Sequence, residues 1–396
     1  MAHVLLAWEL GGNSGHATRL AKLVSALRER GHRTSLAVQR PDAFRRWRNT
    51  PGFSEIRQAP IWPGLFRHSE IMPLRGEVAW GDVLAGVGLS DSGILEYLLR
   101  SWDQILADAA PDLVITDFAP AAMLAARGRL PVIAVGTGFT VPPDQTHSFP
   151  LLRPAAASAR IDEAALLQVV NRSLWQLRRA PLERLTEIAQ ATLSCPATFT
   201  ELDPYAAHRT TPSLPPFLSG PPGHCGDGQE IFAYVPTTDP MGRVLAGALA
   251  LVAAGGRAVS AWLPGLIGPE AEHMARSGVQ LHSTPLAQSE IAARARLFVG
   301  TGGLGATSAA LAAGLPMALM PLDLEKHLTA EAVRKLGAGS LLPPDPAAKA
   351  EQLAEAILTA DADAQIRARA RDLAAGFRAR LGDPAADVAQ RVTSCL

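Results

Sequence analysis

The chain is poor in cysteine and carries no net charge, and each shortage removes a class of protein. Cys195, Cys225 and Cys395 are its only three cysteines in 396 residues, and no two stand at C-x-x-C spacing. That excludes a mini-protein held by disulfide staples and matches intracellular usage. Lys and Arg number 37, as do Asp and Glu, so the formal charge is zero. The basic excess of a protein that tracks nucleic acid or an anionic membrane is missing, and no nucleic-acid partner is expected. Met1 to Glu9 has no basic n-region and reads as a first strand, so a cytoplasmic location is expected. The uncharged run Leu297 to Leu322 exceeds the roughly 20 residues a membrane span needs. Gly300, Gly302, Gly303, Gly305, Gly314, Pro316 and Pro321 nevertheless divide it into strand, turn, helix and strand, so no transmembrane segment is expected.

What is present is length and a βα rhythm. The chain is about two and a half times a typical domain, which favours two domains. With 48% hydrophobic and 19% charged residues it has ample material for packed cores. An apolar run His3 to Trp8 leads into the glycine-rich loop Gly11-Gly12-Asn13-Ser14-Gly15 and then a helix. Leu20, Leu23, Val24 and Leu27 share one face of that helix, with Arg19, Lys22, Arg28 and Glu29 off it. Gly31 ends it and a strand Thr34 to Val38 follows, the spacing of a parallel crossover. Residues 39 to 90 read as long loops with short elements. A helix near 92 to 109, strands Leu113 to Asp117 and Val132 to Val135, and a helical stretch over 161 to 192 broken at Pro181 come next. Six prolines and four glycines between Pro204 and Gly228 mark a linker. Beyond it the rhythm restarts with strands at Ile231 to Val235 and Ala258 to Trp262, a helix over 241 to 254 and a short strand near Gln280. The domains are therefore expected at residues 1–215 and 216–375, with a C-terminal helix in 376–396 placed to pack across their junction.

Gly300, Gly302 and Gly305 satisfy G-x-G-x-x-G after a strand and before a helix, where glycines let the backbone approach a diphosphate and open N–H groups meet its charge. Asp323, some 20 residues on, is placed as the ribose-gripping acid of a nicotinamide enzyme would be, so an NAD(P)-dependent oxidoreductase stays open on this motif alone. No Walker lysine follows, which argues against a nucleoside triphosphatase. None of the ten histidines belongs to a cluster with metal-ligand spacing.

The stretch Gly302 to Pro321, followed by Glu325-Lys326 and Leu336-Gly-Ala-Gly339, resembles the donor-binding region of family 1 glycosyltransferases and related family 28 enzymes. Gly11-Gly-Asn-Ser-Gly-His16, Arg30-Gly-His32 and Thr116-Asp117-Phe118 match N-terminal positions of the same family, and residues 40 to 90 and 140 to 195 are unmatched. The resemblance implies an α/β chain with the GT-B fold, two doubly wound Rossmann-like domains facing across a cleft. The N-terminal domain would bind the acceptor and the C-terminal one the nucleotide-sugar. It also implies an inverting, metal-independent transfer of a sugar to an acceptor hydroxyl of a small molecule or glycan. No cofactor is implied, the co-substrate being a nucleoside-diphosphate sugar of UDP or dTDP type.

His16 occupies the position of the family's general base, and Asp117 that of the aspartate which holds it. Histidine at a loop-to-helix turn suits that task on its own chemistry, and the end of a parallel strand is where α/β ligand sites form. The donor would be held by Thr301, Gly302, Gly303, Gly305, Ala306, Thr307, Glu325 and Lys326, with Thr237, Thr238, Leu286 and Ala287 adding contacts to phosphate and base. Gly15, Trp62, Phe66 and Phe139 are the expected acceptor-side residues. The chain departs from the family at Thr301 (often histidine), Ala306 (often serine or threonine), Ala309 (a ribose-binding glutamate) and Lys326 (glutamine). These departures favour, as an alternative, a catalytically lapsed binding protein of the same fold.

Overall fold

The structure is a computed structural model that describes all residues except 13, 65–77, 154–158, 160, 236–239 and 344–348. The chain divides into two compact units, Met1–Phe217 with Gly382–Leu396, and Leu218–Leu381. Among the described residues each unit holds one six-stranded sheet in which the paired strands run parallel.

In the first unit the strands are β1 (His3–Trp8), β2 (Arg33–Val38), β3 (Ile56–Gln58), β4 (Leu113–Asp117), β5 (Val132–Gly136) and β6 (Leu193–Pro196), in the order β3-β2-β1-β4-β5-β6. β1, β4 and β5 are buried along their whole length, as expected of near-continuous apolar runs at the centre of a parallel sheet. Helix α1 (Ser14–Glu29) buries Leu20, Leu23, Val24 and Leu27 as its spacing predicts, and Gly31 closes it with φ 80°. Arg19 departs from that prediction. It is buried, and the reason lies in the site described below.

Further along, α2 (Ser92–Ala109) and α3 (Pro120–Ala126) flank β4. Residues 161 to 192 are less helical than expected: a helix Glu163–Gln176 ends before Arg178, whose φ of 55° turns the chain ahead of Pro181, and only a short turn, Leu185–Ala189, follows. The sixth strand, four residues closing on a proline, gave too short an apolar signal to be read.

In the second unit the strands are β7 (Glu230–Tyr234), β8 (Val259–Trp262), β9 (Val279–Leu281), β10 (Ala295–Gly300), β11 (Met317–Leu319) and β12 (Gly339–Leu341), in the order β12-β11-β10-β7-β8-β9. Helix α4 (Leu304–Ala313) follows β10 and α5 (Leu324–Lys335) follows β11. The helix Ala364–Arg378 stays with this unit, so the unit ends at Leu381. Asp383 then caps α6 (Pro384–Cys395), accepting from the N–H groups of Ala385 and Ala386. Ala385, Val388, Ala389 and Val392 of α6 enter the core of the first unit together with Leu20, Leu23, Val24 and Leu27 of α1. No helix among the described residues is long and apolar enough to cross a membrane.

Each sheet starts at its centre, winds to one edge, and returns to the centre to wind to the other. The switch point therefore lies between β1 and β4 in the first unit and between β7 and β10 in the second, beyond the carboxyl ends of the strands, where doubly wound sheets bind ligands.

Candidate active site

At the first switch point, Trp8 and Asp117 are register partners at the ends of β1 and β4. The loops beyond them are tied by the Leu10 N–H, which donates to the Phe118 carbonyl at 3.0 Å. Phe118 has φ 48°, a left-handed conformation rare for a bulky residue and typical of functional loops. Gly11, with φ 81°, turns the chain into α1, whose first turn carries His16. Arg19 follows three residues later on the same helical face.

His16 Nδ1 lies 3.0 Å from Asp117 Oδ1, and Arg19 Nη1 donates to the same oxygen at 2.6 Å. The imidazole stacks on Trp8, with centroids 5.1 Å apart and planes 13° apart. Burial of Asp117 pushes its carboxyl up, but the Arg19 guanidinium and the His16 ring outweigh this and hold it below the usual carboxylate range. An ionised carboxylate only accepts, so Nδ1 is the donor in this bond, and in the neutral imidazole that leaves the lone pair on Nε2. A Cβ on Gly11 would stand 2.4 Å from Nε2, so the turn must be glycine both for its backbone and for the base beneath it.

Two residues of this site went unread in the sequence. Arg19 is one, and its signal is its i+3 spacing from His16. The other is Glu9, fully buried just past the end of β1. It accepts from the Trp62 indole at 2.9 Å and from the Ala121 and Ala122 N–H groups of α3 at 3.0 and 2.7 Å. Burial pushes its carboxyl up from 4.5 to about 7, with these three donors and the Trp102 indole pulling against the shift.

A carboxyl raised on folding stabilises the native state fully below its unfolded value, and this contribution is lost as pH rises through about 7. Unfolding free energies of the wild type from denaturant titrations should therefore fall between pH 5 and pH 8 by more than those of Glu9→Gln, the difference being about 2.5 kcal/mol. Equal pH dependence in the two proteins would remove this role from Glu9.

The acceptor-side expectations meet the structure unevenly. Gly15 is exposed, with open space above it. Phe139 is buried edge-on against Phe118, ring centroids 6.3 Å apart. Trp80, Phe118, Met123, Thr140 and Val141 line a narrow apolar cavity nearby. Trp62, also expected on the acceptor side, is wholly buried, and its indole N–H donates to Glu9. Phe66 lies outside the described residues.

At the second switch point, Thr301 is buried and Gly302 has φ 84°, with the Lys326 carbonyl 2.7 Å from where a Cβ would stand. Gly303 caps α4 with no side-chain hydrogen bond, and among the described residues the first-turn N–H groups of Leu304, Gly305 and Ala306 are open to an anion. The buried hydroxyls of Thr307 and Ser308 find no partner among the described residues. Ala309 is buried.

Glu325 and Lys326 sit in the first turn of α5. Asp323 caps that helix by accepting from the Lys326 N–H at 2.9 Å, and its other oxygen pairs with the Lys326 ammonium. Asp323 thus serves as helix cap and as counter-ion to Lys326. Leu286 is half-buried and Ala287 exposed, at the start of the helix Gln288–Arg294. Thr237 and Thr238 lie outside the described residues. Among the described residues no three His, Cys, Asp or Glu side chains are grouped as a metal site.

No family model matches the chain. In sequence it is similar to a PGL/p-HBAD biosynthesis rhamnosyltransferase of Mycobacterium bovis (strain BCG / Pasteur 1173P2), 26% identical over 354 residues that cover 82% of this chain and 76% of that protein. It is also similar to the NDP-glycosyltransferase YjiC of Bacillus licheniformis, 36% identical over 86 residues, a stretch that spans only 22% of either protein. Among solved structures, the calicheamicin glycosyltransferase CalG4 superposes with a TM-score of 0.64 at 22% identity, covering 100% of this chain and 98% of that one. The spinosyn rhamnosyltransferase SpnG complexed with thymidine diphosphate superposes with a TM-score of 0.63 at 16% identity, covering 100% of both. The chain thus has the GT-B fold, with two Rossmann-like units, and is similar in sequence and in fold to glycosyltransferases.

Proposed function

We propose that the protein is an inverting glycosyltransferase that moves a sugar from a nucleoside-diphosphate sugar, of dTDP or UDP type, to a hydroxyl of a small-molecule or glycan acceptor without a metal ion. The observation that carries this reading is the His16–Asp117 pair at a switch point, with Nδ1 fixed on the carboxylate at 3.0 Å and Nε2 left as the base. His16 takes the proton of the acceptor hydroxyl, the oxygen attacks the anomeric carbon, and the bond to the diphosphate breaks with its electron pair. Asp117 stabilises the imidazolium that forms. The open N–H groups at the start of α4, with Thr301 and Thr307, take up the charge of the leaving diphosphate, and Glu325 accepts from sugar hydroxyls. In this reading the first unit serves the acceptor and the second the donor. A structure of the same fold supports the choice of nucleotide, since SpnG was crystallised with thymidine diphosphate.

A thermal-shift screen of nucleoside diphosphates and their sugars tests the donor half. At a ligand concentration of 100 times Kd the expected stabilisation is about 2.7 kcal/mol. Response to dTDP or UDP compounds is the predicted result. Response to none of them favours the lapsed binding protein, and response to NAD or NADP alone favours an oxidoreductase.

A further inference from the structure

Arg19 is an unusual neighbour for a histidine base. It is buried, 7% exposed, and its guanidinium lies over the Phe217 ring, 5.7 Å from the centroid. Burying a guanidinium costs several kcal/mol unless a carboxylate answers it, and Asp117 does so. That places two donors, Arg19 Nη1 and His16 Nδ1, on the single oxygen Oδ1. The other oxygen, Oδ2, is buried and has no hydrogen-bond partner among the described residues.

The consequence is one of charge balance. With Arg19 in place, the carboxylate is already neutralised, and the balanced state of the triad contains a neutral imidazole. Adding a proton to His16 leaves a net positive charge in a poorly solvated pocket. Without Arg19, the carboxylate and an imidazolium would balance each other, and the proton would be held more tightly. We propose that Arg19 is a positioning residue which, acting through Asp117, keeps His16 unprotonated and therefore competent as a base near neutral pH. The proposal rests on the reading of His16 as the general base.

Other charges around α1 are held elsewhere. Arg40 reaches the Gly12 carbonyl and Arg46 the Thr18 hydroxyl, both from the segment after β2. Glu9, past the end of β1, is bound by its three donors, and Asp387 and Arg391 of α6 lie around Cys195. All are unchanged in a substitution at Arg19, so a change in His16 reports on Arg19 itself.

The test follows the His16 imidazole by NMR as pH is varied, in the full chain and in Arg19→Met, Arg19→Gln and Arg19→Lys. Resonances are assigned with His16→Gln. The expected result is an upward move of the His16 midpoint by about one pH unit in Arg19→Met and Arg19→Gln, with Arg19→Lys near the wild type. Arg19→Gln retains an N–H for Oδ1 without the charge, so it decides the matter should Arg19→Met fail to fold. An unmoved midpoint in a folded, uncharged variant overturns the proposal and leaves Arg19 a structural ion pair. This readout needs no turnover, so it is separable from failure of the glycosyltransferase reading. Where transfer is measurable, the acid limb of kcat/KM should move with the midpoint, whereas a structural role would lower rates at every pH alike.

Discussion

Replacing His16 with alanine is expected to lower sugar transfer roughly 10²–10⁴-fold, the range for loss of a positioned general base. The fold should survive, because Arg19 and Asp117 still neutralise each other once the imidazole is gone. Melting temperature and nucleotide binding are therefore expected to stay close to wild type while turnover collapses. Full turnover in His16→Ala with the true substrates would remove the residue from the mechanism.

Asp117→Asn is expected to fail differently, in stability as well as rate. The amide keeps the shape of the carboxylate but cannot answer the charge of Arg19, whose side chain is 8% exposed beside an Asp117 that is fully buried. Breaking one side of a buried pair costs about 3–5 kcal/mol, because the remaining ion is left uncompensated. For a unit of this size that lowers the melting temperature by roughly 10 °C. Rate falls too, since an amide offers both donor and acceptor to Nδ1 and no longer fixes the tautomer that puts the lone pair on Nε2. Adding Arg19→Met to Asp117→Asn should recover part of the lost stability and none of the lost rate. Calorimetry on the single and double variants reads this as a coupling energy. Simple additivity of the two stability losses would show that Arg19 and Asp117 do not act as a pair.

The contrast between these variants follows the line between what local sequence shows and what it hides. β1, α1 and α2 were legible because each carries its own apolar period, and a buried parallel strand or an amphipathic helix needs no distant partner to announce itself. His16, Asp117 and the glycine turns were legible because their chemistry sits in short motifs at strand ends. Arg19 was not. A charged residue off the apolar face of α1 looks solvated, and only Asp117, 98 positions away, makes its burial affordable. Glu9 hides for the same reason: its donors come from Trp62 and from α3, 53 to 113 positions distant. Trp62 looks like a pocket aromatic until that carboxylate is seen to claim its indole. The helical character of α6 could be read from sequence, but its return to the core of the first unit could not, since its apolar stripe names no partner.

A single displacement driven by a base on the acceptor inverts the anomeric carbon. Its most direct test is the anomeric configuration of the product, read by NMR after incubating the protein with an acceptor and a dTDP- or UDP-sugar that it binds. The expected product has the configuration opposite to the donor's, formed by the wild type and nearly absent with His16→Ala. Retained configuration, or equal product from the two proteins, would contradict it.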